Sequence, residues 1–240
     1  MEKYNIELLI SACNQYNVTL SDNKIQQFIT YYEMLIEKNK VMNLTAITEY
    51  EDVVYKHFAD SISILKYFDF KNYKNMIDVG TGAGFPGIPL KIVLPEIEIC
   101  LMDSLNKRIS FLNEVITELK LQKISAVHGR AEDLGRNKNY REKFDVCVSR
   151  AVANLSTLTE YCTPFLKKNG YFISYKSGNI DDEIINCKNA FTQLNCTPES
   201  IEKFNIEGTD YNRSLVIIKK TGNTGSQYPR KSGTPAKKPL

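Results

Sequence analysis

Between residues 77 and 90 the chain reads IDVGTGAGFPGIPL, and four glycines crowd the loop that follows an apolar run. Gly82 to Gly87 has the spacing G-x-G-x-x-G. Backbone stripped of side chains lets a ligand approach closely and lets the chain take positive φ. A nucleotide at a helix N-terminus is the usual beneficiary, although the pattern alone is weak. Asp78, two residues before Gly80, changes the expected ligand. A carboxylate there disfavours a pyrophosphate and favours a cation. S-adenosylmethionine carries an ammonium and a sulfonium, so it suits this loop better than NAD. On this reading, removing the Asp78 carboxylate should cost roughly 1–3 kcal/mol of cofactor affinity. Asp78 could also cap the following turn, since a buried carboxylate needs a partner in either case. G-x-x-x-x-G-K-[ST] is absent, which argues against ATP hydrolysis.

Two further strand ends carry suitable groups. Asp103 ends the second strand, where a carboxylate can accept both ribose hydroxyls; NAD would be served equally there. In Gly129-Arg130-Ala131-Glu132-Asp133, which ends the third strand, the Ala131 backbone and the Glu132 side chain could meet an adenine edge. Arg150 ends the fourth strand and could anchor the cofactor's methionine end or donate to a purine O6. His57, Asp60 and Ser61 stand at i, i+3 and i+4 on one helix. They are either hydrogen-bonded core residues or part of a roof that positions a substrate. Lys107 and Arg108 open a helix, where cations oppose the macrodipole. An RNA phosphate would explain them, and Lys176 could extend the same track.

The elements that must hold these groups follow from periodicity. Residues 4–14 and 21–39 carry apolar positions at helical spacing, with Ser21 as N-cap. Thr48-Glu49-Tyr50-Glu51 has capping-box form and should open a helix running to about Tyr67. This makes residues 1–70 an all-helical N-terminal region. From 71 to 220 strands alternate with helices, which implies a doubly wound, mostly parallel sheet. Two consecutive strands at the end, SIEKFNI and RSLVIIKK, imply an antiparallel hairpin on one edge.

Residues 221–240 form a third segment. Three glycines and three prolines punctuate it, and four cations (Arg230, Lys231, Lys237, Lys238) meet no acid. Such a segment is expected to form neither a helix nor a central strand, and to have little to bury. Its cations suit phosphate contact. Removing it should leave the fold and cofactor binding intact. The net charge of +3 therefore resides in the tail: the remainder holds 27 cations against 28 acids. Hydrophobic content of 42% and charged content of 25% are ordinary for a globular chain of 240 residues. Neither a signal peptide nor a membrane span is expected. The six scattered cysteines read as reduced core or surface thiols of a cytoplasmic protein, with no metal site.

Together MIDVGTGAGFPGIPLKIVLPE, LMDSLNKRISFL, HGRAEDL and FDVCVSRAVANL resemble the small-subunit (16S) ribosomal RNA methyltransferase G family, also called glucose-inhibited division protein B. NLTAI, KHFADSI and YPRKSGTPAKKPL fit as well, so the resemblance spans nearly the whole chain. It implies the Rossmann-like methyltransferase fold and methyl transfer from S-adenosylmethionine to N7 of a guanine in 16S RNA. The partner would be that RNA, a 30S subunit or an assembly intermediate, not DNA or a membrane. Gly80, Phe85, Asp103, Ser104, Leu105, Ala131, Glu132 and Arg150 should then line the cofactor site, beside Asp78 and Gly82 of the loop.

The chemistry is compatible. The Asn/Asp-Pro-Pro-aromatic tetrapeptide common in exocyclic-amine methylation is replaced by Ser149-Arg150-Ala151, and no Pro-Cys nucleophile occurs. Guanine N7 has a free lone pair and needs no base. Arg150 could not grip both O6 and N7, because N7 must stay free. A small-molecule or protein substrate is the alternative for the same cofactor, kept open by the near-neutral body. A nicotinamide dehydrogenase and a non-catalytic RNA-binding module fit less of the pattern.

Overall fold

The computed structural model describes residues 3–150 and 153–240; Ala151 of the strand-end triplet lies outside them. Two helices begin the chain, α1 (Ile6–Asn14) and α2 (Asp22–Met42), capped by the Asn5 and Ser21 side chains. The expected third helix is continuous but irregular. It runs through α3 (Tyr50–Val53), a π-helical turn (Val54–Ala59), α4 (Asp60–Ile62) and a 3₁₀ turn (Ser63–Lys66).

Among the described residues seven strands follow: β1 (Asn75–Val79), β2 (Glu98–Asp103), β3 (Ile124–His128), β4 (Phe144–Ser149), β5 (Leu166–Ser177), β6 (Cys196–Asn205) and β7 (Asn212–Lys220). Their order is β3-β2-β1-β4-β5-β7-β6. The first five are parallel, and β7 pairs antiparallel with both β5 and β6. The expected edge hairpin is therefore present, with β7 inserted beside β5. Helices α5 (Gly87–Val93), α6 (Asn106–Glu118), α7 (Ala131–Leu134), α8 (Leu155–Cys162), α9 (Asp181–Asn186) and α10 (Lys188–Gln193) connect the strands.

Strand alternation divides the core. Met76, Ile99, Leu101 and Val146 face a cluster that includes Leu9, Phe28, Leu35, Phe58 and Phe111. Ile77, Cys100, Met102 and Cys147 face Leu158, Phe165, Phe191 and Tyr228. The N-terminal helices thus share one core with the sheet. All six cysteines are free and buried, so none is a surface thiol. Among the described residues no helix is long and apolar enough to cross a membrane.

The tail departs from expectation. It is ordered, contains a helical turn, α11 (Thr234–Lys237), and packs on the body. Tyr228 is buried in the second core. Arg141 donates to the carbonyls of Thr224, Gly225 and Tyr228 at 2.8–3.1 Å. Composition missed this because the anchoring groups are carbonyls and a few side chains, not an apolar stripe.

Candidate active site

The strand order reverses between β1 and β4, and a cleft of about 500 Å³ opens there at the carboxyl ends of the strands. Its walls include Gly80, Asp103, Ser104, Ala131, Glu132 and Arg150, drawn from four strand ends and the turns beyond them. A larger groove of about 1070 Å³ lies at the opposite, amino ends of β1–β3, lined by Phe68, Phe70, Tyr73 and neighbours. It contains none of the candidate residues.

The glycine loop is built around Asp78. The carboxylate is fully buried, and its Oδ2 accepts from Thr81 Oγ1 at 2.6 Å and from the Gly87 amide at 2.8 Å. Gly87 permits that approach, since a Cβ there would stand 2.8 Å from Asp78 Oδ2 and 2.2 Å from Leu101 Cδ2. Oδ1 has no partner. Burial pushes the Asp78 pKa up to about 7, against the lowering effect of the Thr81 and Gly87 hydrogen bonds and the Arg150 charge. Asp78 is therefore a clamp beneath the loop and does not line the cleft, which corrects its reading as a direct counter-charge for a ligand.

Gly82, at φ 63°, turns its amide onto Asp103 Oδ2 at 3.0 Å. Asp103 Oδ1 accepts from the Leu105 amide at 2.9 Å. Arg108 approaches the same carboxylate at 3.2 Å. Arg108 thus lines the cleft beside Asp103. Gly82 and Leu105 act through their backbone amides, and the Leu105 side chain is exposed. Lys107 is exposed.

Arg150 leaves β4 toward the irregular helix. Its guanidinium donates to Asp60 Oδ2 at 2.7 Å and to the Lys56 carbonyl at 3.0 Å. Arg213, at the start of β7, clasps the same carboxylate at 2.6 and 2.8 Å. Asp60 is 1% exposed and so carries two guanidiniums in a nearly dry setting. His57 stacks on Phe85 with centroids 4.4 Å apart, and Arg150 sits over the same ring at 4.9 Å. Phe85 therefore floors this cluster and is not among the residues that line the cleft.

His57 Nδ1 lies 3.1 Å from Arg150 Nη2, a donor, and 3.2 Å from the Lys56 carbonyl, an acceptor. Nε2 lies 2.9 Å from Thr45 Oγ1. Burial, with the Arg150 charge, lowers the His57 pKa to about 3. The ring stays neutral across physiological pH. Ser61 is spent internally, donating to the His57 carbonyl.

Two expected RNA contacts are engaged elsewhere. Lys176 is 9% exposed and donates to the Ala153 carbonyl and Glu183, both at 2.7 Å. Arg230 binds the fully buried Glu160 through its backbone amide and guanidinium. The second pairing satisfies an acid that would otherwise be buried without a counter-charge. Lys231, Lys237 and Lys238 are exposed, like Lys107.

Sequence reasoning missed Arg213, Tyr31 and the tail's part in the cleft. Tyr31 reaches from α2 to the Ala83 carbonyl at 2.6 Å, tying the N-terminal helices to the glycine loop. Arg213 is one cation opening an apolar strand, with no local signal. Ser232 and Gly233 line the cleft, and the Gly233 amide donates to Glu132 at 2.9 Å.

Comparison with known proteins gives a consistent picture. A family model described as "GidB: rRNA small subunit methyltransferase G" matches residues 24–216. A "Ribosomal RNA small subunit methyltransferase G" of Lachnoclostridium phytofermentans is 50% identical over 231 residues, 96% of each chain. One of the same name from Clostridium botulinum is 50% identical over the full length of both. Among solved structures, the Methanococcus jannaschii fibrillarin pre-rRNA processing protein superposes with a TM-score of 0.53 at 16% identity, covering 68% of this chain and 74% of that one. That likeness speaks to the fold alone.

Proposed function

The chain belongs to the rRNA small subunit methyltransferase G family, and from that premise we propose how its own residues carry out methyl transfer from S-adenosylmethionine to N7 of a guanine in ribosomal RNA. The RNA is 16S RNA, presented free or within a 30S particle, and the site of action is the cytoplasm, where that RNA resides.

The cleft suits the cofactor. Its volume of about 500 Å³ lies in the range of small-molecule sites. Two acids stand on its wall, Asp103 and Glu132. Asp103 would hold the ribose hydroxyls, and Arg108 is the one donor on it free to swing away. Ala131 and Glu132 would hold the adenine, with Gly80 and Gly82 shaping the backbone beside it. The cofactor supplies an electrophilic methyl group on a sulfonium.

The observation that carries the N7 reading is the state of the polar cluster across the cleft. Asp60 has both oxygens occupied by guanidiniums. His57 is neutral, with Nδ1 facing an arginine donor. Neither group is placed to take a proton, and N7 of guanine has none to lose. With one carboxylate against two guanidiniums the cluster is cationic, which suits guanine O6 and the adjoining phosphates. Arg150, fixed by Asp60, His57 and Phe85, positions the base so that N7 points at the methyl group.

Single-turnover rates measured from pH 5.5 to 8.5 test this. The rate should show no inflection from His57, whose pKa is lowered to about 3. A required deprotonation near neutrality that vanishes in His57→Gln would overturn the reading.

A further inference from the structure

We propose that the C-terminal segment is a working part of the cofactor site: the backbone amide of Gly233 fixes the Glu132 carboxylate as the acceptor for the exocyclic amine of adenine. The proposal rests on the reading of the cleft as an S-adenosylmethionine site and adds a component to it.

The family model ends at residue 216, so the segment lies beyond the part of the chain it matches. Ser232 and Gly233 nevertheless form part of the cleft wall. Gly233 N donates to Glu132 Oε1 at 2.9 Å. Glu132 is 7% exposed, and the Tyr161 hydroxyl beside it is pushed up to about 12 by burial and by the Glu132 charge. A nearly buried carboxylate with one oxygen held by an amide has a fixed orientation, which a purine amine can exploit as an acceptor. Asp103 is the other acid on the wall, and its oxygens are held by Gly82, Leu105 and Arg108.

The segment is anchored on both sides of this contact. Upstream, Arg230 grips the buried Glu160 and also donates to the Lys238 carbonyl at 2.8 Å. Downstream, Thr157 Oγ1 donates to the Pro235 carbonyl at 3.0 Å. Across the turn, Arg130 reaches Ser232 Oγ at 2.8 Å. Gly233 itself takes φ 79°, which aims its amide into the cleft wall and disfavours any side chain. A Cβ at this position would meet open space, so a substitution acts through the backbone alone.

Calorimetry separates this role from a merely structural strap. The full chain, Gly233→Val, and the Glu160→Gln/Arg230→Gln double variant are titrated with S-adenosylhomocysteine and with S-inosylhomocysteine, in which a carbonyl replaces the amine. The double variant loosens the latch without stranding a charge, so the test stands even where Gly233→Val fails to fold. The unaltered chain should prefer the adenosyl compound by about 10- to 100-fold, the worth of a hydrogen bond to a charged group. In folded variants the preference should fall to within about threefold. A folded variant that keeps the full preference overturns the proposal. Failure of the unaltered chain to bind the adenosyl compound at all would instead overturn the reading of the cleft.

Discussion

Asp78→Asn tests the clamp beneath the glycine loop. The carboxylate sits fully buried, with Oδ2 held by Thr81 and Gly87 and Oδ1 without a partner. Its pKa is raised from 3.8 to about 7 by burial. A raised acid pKa means that the folded state binds the proton more tightly than the unfolded chain. The associated stability is fully present below pH 3.8 and is lost as pH rises through about 7. A shift of about three units corresponds to about 4 kcal/mol, of which about 2–3 kcal/mol falls between pH 5 and pH 8. Asparagine keeps an oxygen for both donors and cannot ionise. Urea unfolding of both proteins at matched pH values removes the contribution of every other titrating group. The stability difference should move in favour of Asp78→Asn by about 2–3 kcal/mol from pH 5 to pH 8. Because the carboxylate is sealed from the cleft, cofactor affinity should change by less than about threefold, below the loss for an unpaired charged partner. Parallel stability curves would refute the linkage argument, and a tenfold loss of affinity would restore the carboxylate as a direct partner of the cofactor.

Arg213→Met removes one of the two guanidiniums that hold Asp60. Steady-state assays should show kcat on ribosomal RNA falling about 10- to 100-fold, as expected of a misplaced positioning group, with cofactor affinity little changed. A double-mutant cycle with Arg150→Met should be non-additive by about 1–2 kcal/mol; independent effects would break the cluster into unrelated pairs. Deleting residues 221–240 strands Glu160, whose side chain is 0% exposed beside an Arg230 side chain 25% exposed. That exposure places the cost of the broken pair at the lower end of the buried-pair range, about 3 kcal/mol, and the loss of the buried Tyr228 adds to it, so thermal melts should drop by at least the corresponding amount. A truncated chain with an unchanged melt would return the tail to the status of a loose basic arm. Charge reversal of Lys107, Lys231, Lys237 and Lys238 should weaken RNA binding at low salt and reduce the salt slope by about one for each phosphate no longer neutralised. Unchanged affinity in the fourfold variant would move the RNA track elsewhere.

Local pattern carried the sheet. Short, nearly continuous apolar runs in NMIDV, EICLMD and FDVCVS mark strands buried on both faces, and the missing helix between the last two strands announced the antiparallel edge. The strand-end groups Asp103, Glu132 and Arg150 were legible because a parallel sheet gathers its carboxyl ends at one place. Burial was not legible. Nothing near Arg230 in the chain reveals Glu160, and the turn that folds the nearby Glu183 back onto Lys176 is set by the tertiary fold. Asp78 was read by its charge, and its depth below Gly87 changed its task. The π-helical turn at Val54–Ala59 was likewise invisible, since its residues fit an ordinary helical repeat, yet it includes Lys56 and His57, which meet Arg150. Such turns often mark functional sites.

Methyl transfer from S-adenosylmethionine to a guanine N7 in 16S RNA can be read from the product itself. The protein is incubated with radiolabelled S-adenosylmethionine and 30S subunits from a strain lacking its gene. The RNA is then treated with borohydride and aniline, which cleave the chain at 7-methylguanosine. Label should appear in 16S RNA, with one new cleavage position and 7-methylguanosine in the nuclease digest. Label recovered as an N2-methyl or carbon-methyl base, or no transfer to either naked or particle-bound RNA, would contradict N7 methylation by this chain.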